Sequence, residues 1–262
     1  GVQRLSTLVH FIAEPDGILG RIGRAEPLKI EGLEKLTEFN GLTYESIPKS
    51  LQLAFQTRPI RVTVLNDKSD LNVRFDLFER LNTGGVSLTN QEIRNCIFRG
   101  PFNEQLKKLA KTADFRTAVR LKASEYQNGT SEEYVLRFLA YFENRMEFQH
   151  SVKEFFNDYM KENASKKIAS RTLSLFRSTM RALAGAFPNG ITRGQSSTTS
   201  AVLYEALAVG VADALADGVI IRKGKLVALV SDAKLRRLTT GATNSRSMLL
   251  NRISYVKNQL SA

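Results

Sequence analysis

Apolar positions in the opening LSTLVHFI recur as Leu5, Leu8, Val9 and Ile12, a helical spacing that predicts a helix within a few residues of Gly1. The next stretch, 16–40, is rich in turn residues (Gly17, Gly20, Gly23, Pro27, Gly32) around LKIEGL (28–33), where a short strand is expected. RVTVL (61–65) is β-branched and bounded by turn residues, the mark of a strand. From Val73 the period becomes helical, with Phe75, Phe78 and Leu81 on one face of VRFDLFERLN before Gly84 and Gly85 stop it. Beyond Pro101 the strand signal gives way to long amphipathic segments: FNEQLKKLAK, SEEYVLRFLAYFENR, VKEFFNDYMKE and RTLSLFRSTMRALAGAF. A polar break at 188–199 precedes AVLYEALAVGVADAL, a helical LVALVSDAKLRRL and a closing MLLNRISYVKNQL. The expected class is α+β, mainly α, with a small mixed part over 1–100 and a helical domain over 101–262.

Charge divides the chain differently. Residues 1–160 carry 22 Lys and Arg against 21 Asp and Glu, whereas 161–262 carry 16 against 5, so a net +11 of the total +12 lies in the last hundred residues. Such an excess suits an anionic partner, because clustered cations release counterions from phosphates. Lys234, Arg236 and Arg237 are the candidate nucleic-acid contacts, and without Trp or interleaved aromatics no base stacking is indicated. No run is apolar enough to span a membrane and no secretory signal opens the chain, so a cytoplasmic protein is expected. The lone Cys96 fits a reducing compartment and reads as a small buried hydrophobe.

Several chemistries lack their residues. His10 and His150 are the two histidines, neither with a second His or Cys at ligand spacing, so no metal-dependent nuclease centre is expected. His10, set among apolar helix residues, reads as a boundary histidine. RKGKL lacks the first glycine and the Ser or Thr of a P-loop, leaving Gly224 as a turn, and no G-x-S-x-G elbow occurs.

Two segments remain. Gly1-Val2-Gln3-Arg4 leads directly into the first helix, where free N–H groups, a glycine and a guanidinium suit a phosphate. The second is FDLFERLNTGGVSLTNQEIRN (75–95), where a helix ends at Asn82, two glycines follow, and Thr89 or Asn90 caps a helix carrying Glu92 in its first turn. A Gly-Gly loop between helix ends turns amides outward as an anion nest, with Asn82, Thr83 and Arg94 as polar neighbours. Each segment by itself also reads as an ordinary turn.

Together these segments make the chain resemble the N-terminal domain family of GmrSD-type, modification-dependent restriction proteins. That family opens on Asp-Gly-Gln-Gln-Arg before a Leu-Thr-Thr-Leu helix, here GVQRLSTL. Its later pattern, Phe-x-x-Leu-Asn-x-Gly-Gly-x-x-Leu-x-x-x-Glu-x-Arg-Asn, is met at every fixed position by FERLNTGGVSLTNQEIRN (78–95). EYVLRFLAYF and the closing GATNSRS…NRI are also similar to stand-alone members. Val2 replaces the first Gln, and the family's Asp, upstream strand and Gln-Arg-x-x-Trp segment would precede Gly1.

The resemblance implies a ParB/sulfiredoxin-like core that binds a nucleoside triphosphate, alone or with Mg2+, followed by a helical domain and serving in phage defence. Gln3 and Arg4 would contact phosphate, with Gly1 allowing the approach. Asn82, Thr83, Gly84 and Gly85 would form the facing loop, braced by Glu92 and Arg94. The expected function is a nucleotide-binding regulatory module of a restriction system, NTP hydrolysis left open, with DNA and a separate nuclease or effector chain as partners. The alternative is a non-enzymatic DNA-binding or assembly protein that uses the basic helical region.

Overall fold

The computed structural model describes residues 2–13, 18–60, 73, 75, 77 and 88–262. Two compact units divide the chain, residues 1–65 and 66–262. The pattern change near residue 100 falls inside the second.

In the first unit, α1 (Val2–Ile12) and α2 (Lys49–Thr57) are connected through 3-10 turns at Leu19–Ile22, Thr37–Phe39 and Tyr44–Ser46. The rings of Phe11, Tyr44 and Phe55 meet at centroid distances of 5.3 to 6.0 Å, an aromatic knot joining both helices to the last turn. The strand expected at 28–33 does not form. Ile30 N–H bonds to the Leu42 carbonyl at 2.9 Å and the Ile30 carbonyl accepts from Gly41 at 2.7 Å. The ladder stops there because the Asn40 side chain takes both backbone groups of Leu33, at 2.9 and 3.0 Å. The strand expected at 61–65 lies outside the described residues. Among the described residues no strand occurs, so the mainly helical class holds and the ParB/sulfiredoxin-like sheet is not seen.

The second unit holds α3 (Asn90–Ile97), α4 (Pro101–Leu109), α5 (Ala113–Ala118), α6 (Thr130–Asn144) and α7 (Val152–Asn163). After them come α8 (Ser170–Ala186), α9 (Ala201–Ala216), α10 (Lys223–Ser231), α11 (Ala233–Leu238) and α12 (Arg246–Ser261). Their starts are written locally. Pro101 occupies the first turn of α4, and the hydroxyls of Ser151 and Ser245 accept from the third residue of α7 and α12. At the centre lies α9, packed against α6, α8 and α12. Its sequence is apolar all round, and Tyr204, Leu207, Val209 and Val211 are fully buried, each stabilising by about 1.5 to 3 kcal/mol for the larger side chains. Gly210 lets α12 approach closely, since a Cβ there would lie 2.6 Å from Val256.

Three local expectations change. LVALVSDAKLRRL is two helices, because the Asp232 backbone is extended and its carboxylate caps α11 by accepting from Leu235 N–H at 2.7 Å. Gly224 belongs to the first turn of α10. Cys96 is exposed. The buried side chains of α3 are Gln91, Ile93 and Arg94, and position 96 is not among them.

Candidate functional site

Of the expected phosphate contacts, Gln3 and Arg4 fall in the first turn of α1, which begins at Val2 and has no acid there. Their side chains, Gly1, and the loop Asn82, Thr83, Gly84 and Gly85 lie outside what is described, as does the separation of Arg4 from that loop. The first-turn N–H groups of a helix have no intrahelical acceptor, so the start of α1 is electrostatically suited to an anion. The start of α3 is not. Thr89 and Glu92 form a reciprocal capping box: Glu92 N–H donates to the Thr89 hydroxyl at 3.2 Å and Thr89 N–H to the Glu92 carboxylate at 2.8 Å. The Thr89 hydroxyl in turn donates to the Asn128 carbonyl at 2.7 Å. Glu92 therefore fixes where the signature loop enters α3.

Arg94 acts in the opposite direction, into the helical core. It is 1% exposed. Its Nη2 meets Glu133 Oε2 at 2.7 Å, Nε donates to Gln91 at 2.8 Å and Nη1 to Asn157 at 3.4 Å. Glu133 also takes Arg137 at 2.7 Å, and Arg137 pairs with Glu205 on α9. The second oxygen of Glu205 holds Arg252 of α12 at 2.6 Å, and Arg252 donates to the Thr243 carbonyl at 2.8 Å. Five buried or nearly buried charges thus alternate from the signature helix to the last helix. Arg94 and Arg137 both lie against the Phe156 ring, at 5.7 and 5.2 Å from its centroid.

The electrostatics follow the burial. Desolvation pulls the Arg94 guanidinium down to about 10 while Glu133 pulls it back up, so it stays charged at neutral pH. Burial raises the Glu133 carboxyl, yet Arg137 and Arg94 outweigh it and hold Glu133 below the usual range. For Arg137 burial is again opposed, by Glu205 and Glu133, which raise it. Sequence reasoning placed Arg94 as a brace without finding its partners. One signal was available: Glu205 is the single acid in the apolar run AVLYEALAVGVA, and an acid there needs a buried cation.

Elsewhere, His10 is bound through Nε2 to the Glu26 carbonyl at 2.7 Å, beside an open groove of about 430 Å³. His10, Arg24 and Lys29 line it together with Glu26 and Glu31, a mixture that favours no one sign of ligand. Lys234, Arg236 and Arg237 are exposed on α11. Lys234 stacks over Tyr255 at 4.8 Å, and Asp232, held below its ordinary value by the Leu235 N–H and by Tyr255, lies within the electrostatic reach of Arg237. Among the described residues no three His, Cys, Asp or Glu side chains cluster as metal ligands, and no helix is long and apolar enough to cross a membrane.

Residues 1–99 match the family described as the GmrSD restriction endonuclease, N-terminal domain. Comparison of the chain with curated proteins and with solved structures finds no match.

Proposed function

We propose, from the match of residues 1–99 to the GmrSD restriction endonuclease N-terminal domain family, that the chain is a nucleotide-binding regulatory module of an anti-phage restriction system. The family match carries the reading, because it spans both the GVQR turn and the Asn82–Gly85 loop. In this account the start of α1 receives the phosphates through its free N–H groups, with Gln3 and Arg4 as side-chain donors. Asn82, Thr83, Gly84 and Gly85 are the residues proposed to supply further phosphate contacts. At the start of α3 the Glu92 N–H is already taken by Thr89, which supports α1 as the phosphate end. Where Mg2+ accompanies the nucleotide, phosphate oxygens and water supply its ligands. DNA is the substrate of the whole system, and cleavage belongs to a separate nuclease chain.

A thermal-shift series with ATP, GTP, CTP and UTP tests this. At a hundredfold excess over Kd a bound nucleotide adds about 2.7 kcal/mol, roughly 5 to 10 °C for a chain of this size. The shift should appear with at least one nucleotide and vanish in Arg4→Ala. No shift with any of the four refutes the reading.

A further inference from the structure

Two stretches of the basic region lack Asp and Glu, 164–204 and 233–262, and the second includes α11, which directly follows Asp232. Residues 164–204 contain Lys166, Lys167, Arg171, Arg177, Arg181 and Arg193 and no Asp or Glu, where about four acids would be expected at the chain's overall frequency of 26 in 262. Arg193 is committed internally, donating to the Val230 carbonyl and the Thr239 hydroxyl, both at 2.8 Å. The other five are exposed, and none makes an ion pair among the described residues.

Three of them share one face of α8. That helix buries Phe176, Thr179, Met180 and Leu183 against α5, α9 and α10, with Phe115 stacked on Phe176 at 6.3 Å. At 100° per residue the opposite side carries Arg171, Ser174, Arg177, Ser178, Arg181 and Gly185, all exposed. Arg171 to Arg181 covers about 15 Å along the axis. The arrangement is unfavourable for the isolated protein. Arg177 and Arg181 are like charges one turn apart, and Arg171 stands in the first turn, where the helix dipole repels a cation. A merely solvated face relieves such repulsion with interspersed acids, as Glu104 does for Lys107 at 2.8 Å on α4.

We infer that this face of α8, with Lys166 and Lys167 at its approach, is a sequence-independent contact surface for the phosphate backbone of duplex DNA. Arginines grip phosphates in pairs of hydrogen bonds, the two serines between them add donors, and Gly185 leaves the backbone approachable. A duplex presents a charge about every 1.7 Å, so a 15 Å stripe meets several phosphates at once. No aromatic side chain lies on the face, which argues against single-stranded bases as the ligand. The inference rests on the reading of the chain as a DNA-directed restriction module.

The test is fluorescence anisotropy with a 20-bp duplex of arbitrary sequence from 50 to 200 mM salt. It compares the full chain, the triple variant Arg171→Gln/Arg177→Gln/Arg181→Gln, and a control of equal charge change, Lys234→Gln/Arg236→Gln/Arg237→Gln. The α8 variant should bind at least about tenfold more weakly at low salt, with its salt slope reduced by about 0.9 per lost contact. The control should lose less than about threefold. Equal losses in both variants would mean a diffuse field and overturn the surface. So would unchanged binding by the α8 variant, absence of duplex binding by the unaltered chain at 50 mM salt, or tighter binding of single-stranded DNA or duplex RNA. Circular dichroism and the nucleotide-induced thermal shift are followed in the same α8 variant. A variant that keeps that shift and still binds duplex refutes the surface alone, whereas an unaltered chain without the shift refutes the module reading.

Discussion

The two units differ in how they treat water. In residues 1–65, Leu5, Ile12, Ile18, Leu36, Leu51, Leu53 and Ile60 are all exposed, and among the described residues the buried apolar side chains are Leu19, Tyr44 and Ile47. Residues 66–262 seal a continuous core around α9 and bury charges within it. Segments with few buried contacts open at low free energy. The second unit is a scaffold, and Arg94 fastens the end of the signature motif to it.

If the second unit depends on its chain of charges, the largest loss should follow Glu205→Ala. Both Arg137 and Arg252 would then be buried with their shared partner gone, at a cost of about 3 to 5 kcal/mol. Urea unfolding followed by a probe in α9 or α12 reads this, and a loss under about 1 kcal/mol would erase the contrast between the units. Next comes Arg94→Met, expected to cost about 2 to 3 kcal/mol, less than Glu205→Ala because Glu133 keeps Arg137. Gly210→Ala should cost about 1 to 3 kcal/mol by pushing α12 away from α9, measured as a lower urea midpoint.

Thr89→Ala sharpens the comparison at the boundary of the motif. Losing the cap and the bond to Asn128 should cost about 1 kcal/mol and speed amide exchange in the first turn of α3, leaving α9 unchanged. The smallest effect expected is on pH. Because Glu133 is held below its ordinary value of 4.5, its stabilisation is complete above that pH and is lost as pH falls through and below it. Glu133→Gln should flatten the stability profile over that acidic stretch.

How much of this was legible in the sequence varies with the range of the interaction. The amphipathic period of RTLSLFRSTMRALAGAF announced α8, because periodicity is local information. The Thr89 cap and Glu92 were equally local and are found as expected. The break at Asp232 was missed because an acid inside a helical period also reads as a solvated position. The partners of Arg94 were missed because Glu133, Asn157 and Phe156 are brought to it by tertiary packing. Counting charges pointed to the last hundred residues, but the cations on α11 share their surroundings with Asp232 and Tyr255, while those on α8 make no ion pair among the described residues.

The claim on which the account depends is that one nucleotide engages both ends of the matched segment. Amide hydrogen exchange of the full chain, with and without saturating nucleotide, tests it directly. On the proposed reading, exchange should slow together in residues 2–12 and 82–90, with α8 and α10 unchanged. Protection confined to one of the two segments, or absent from both at saturation, would contradict a shared site.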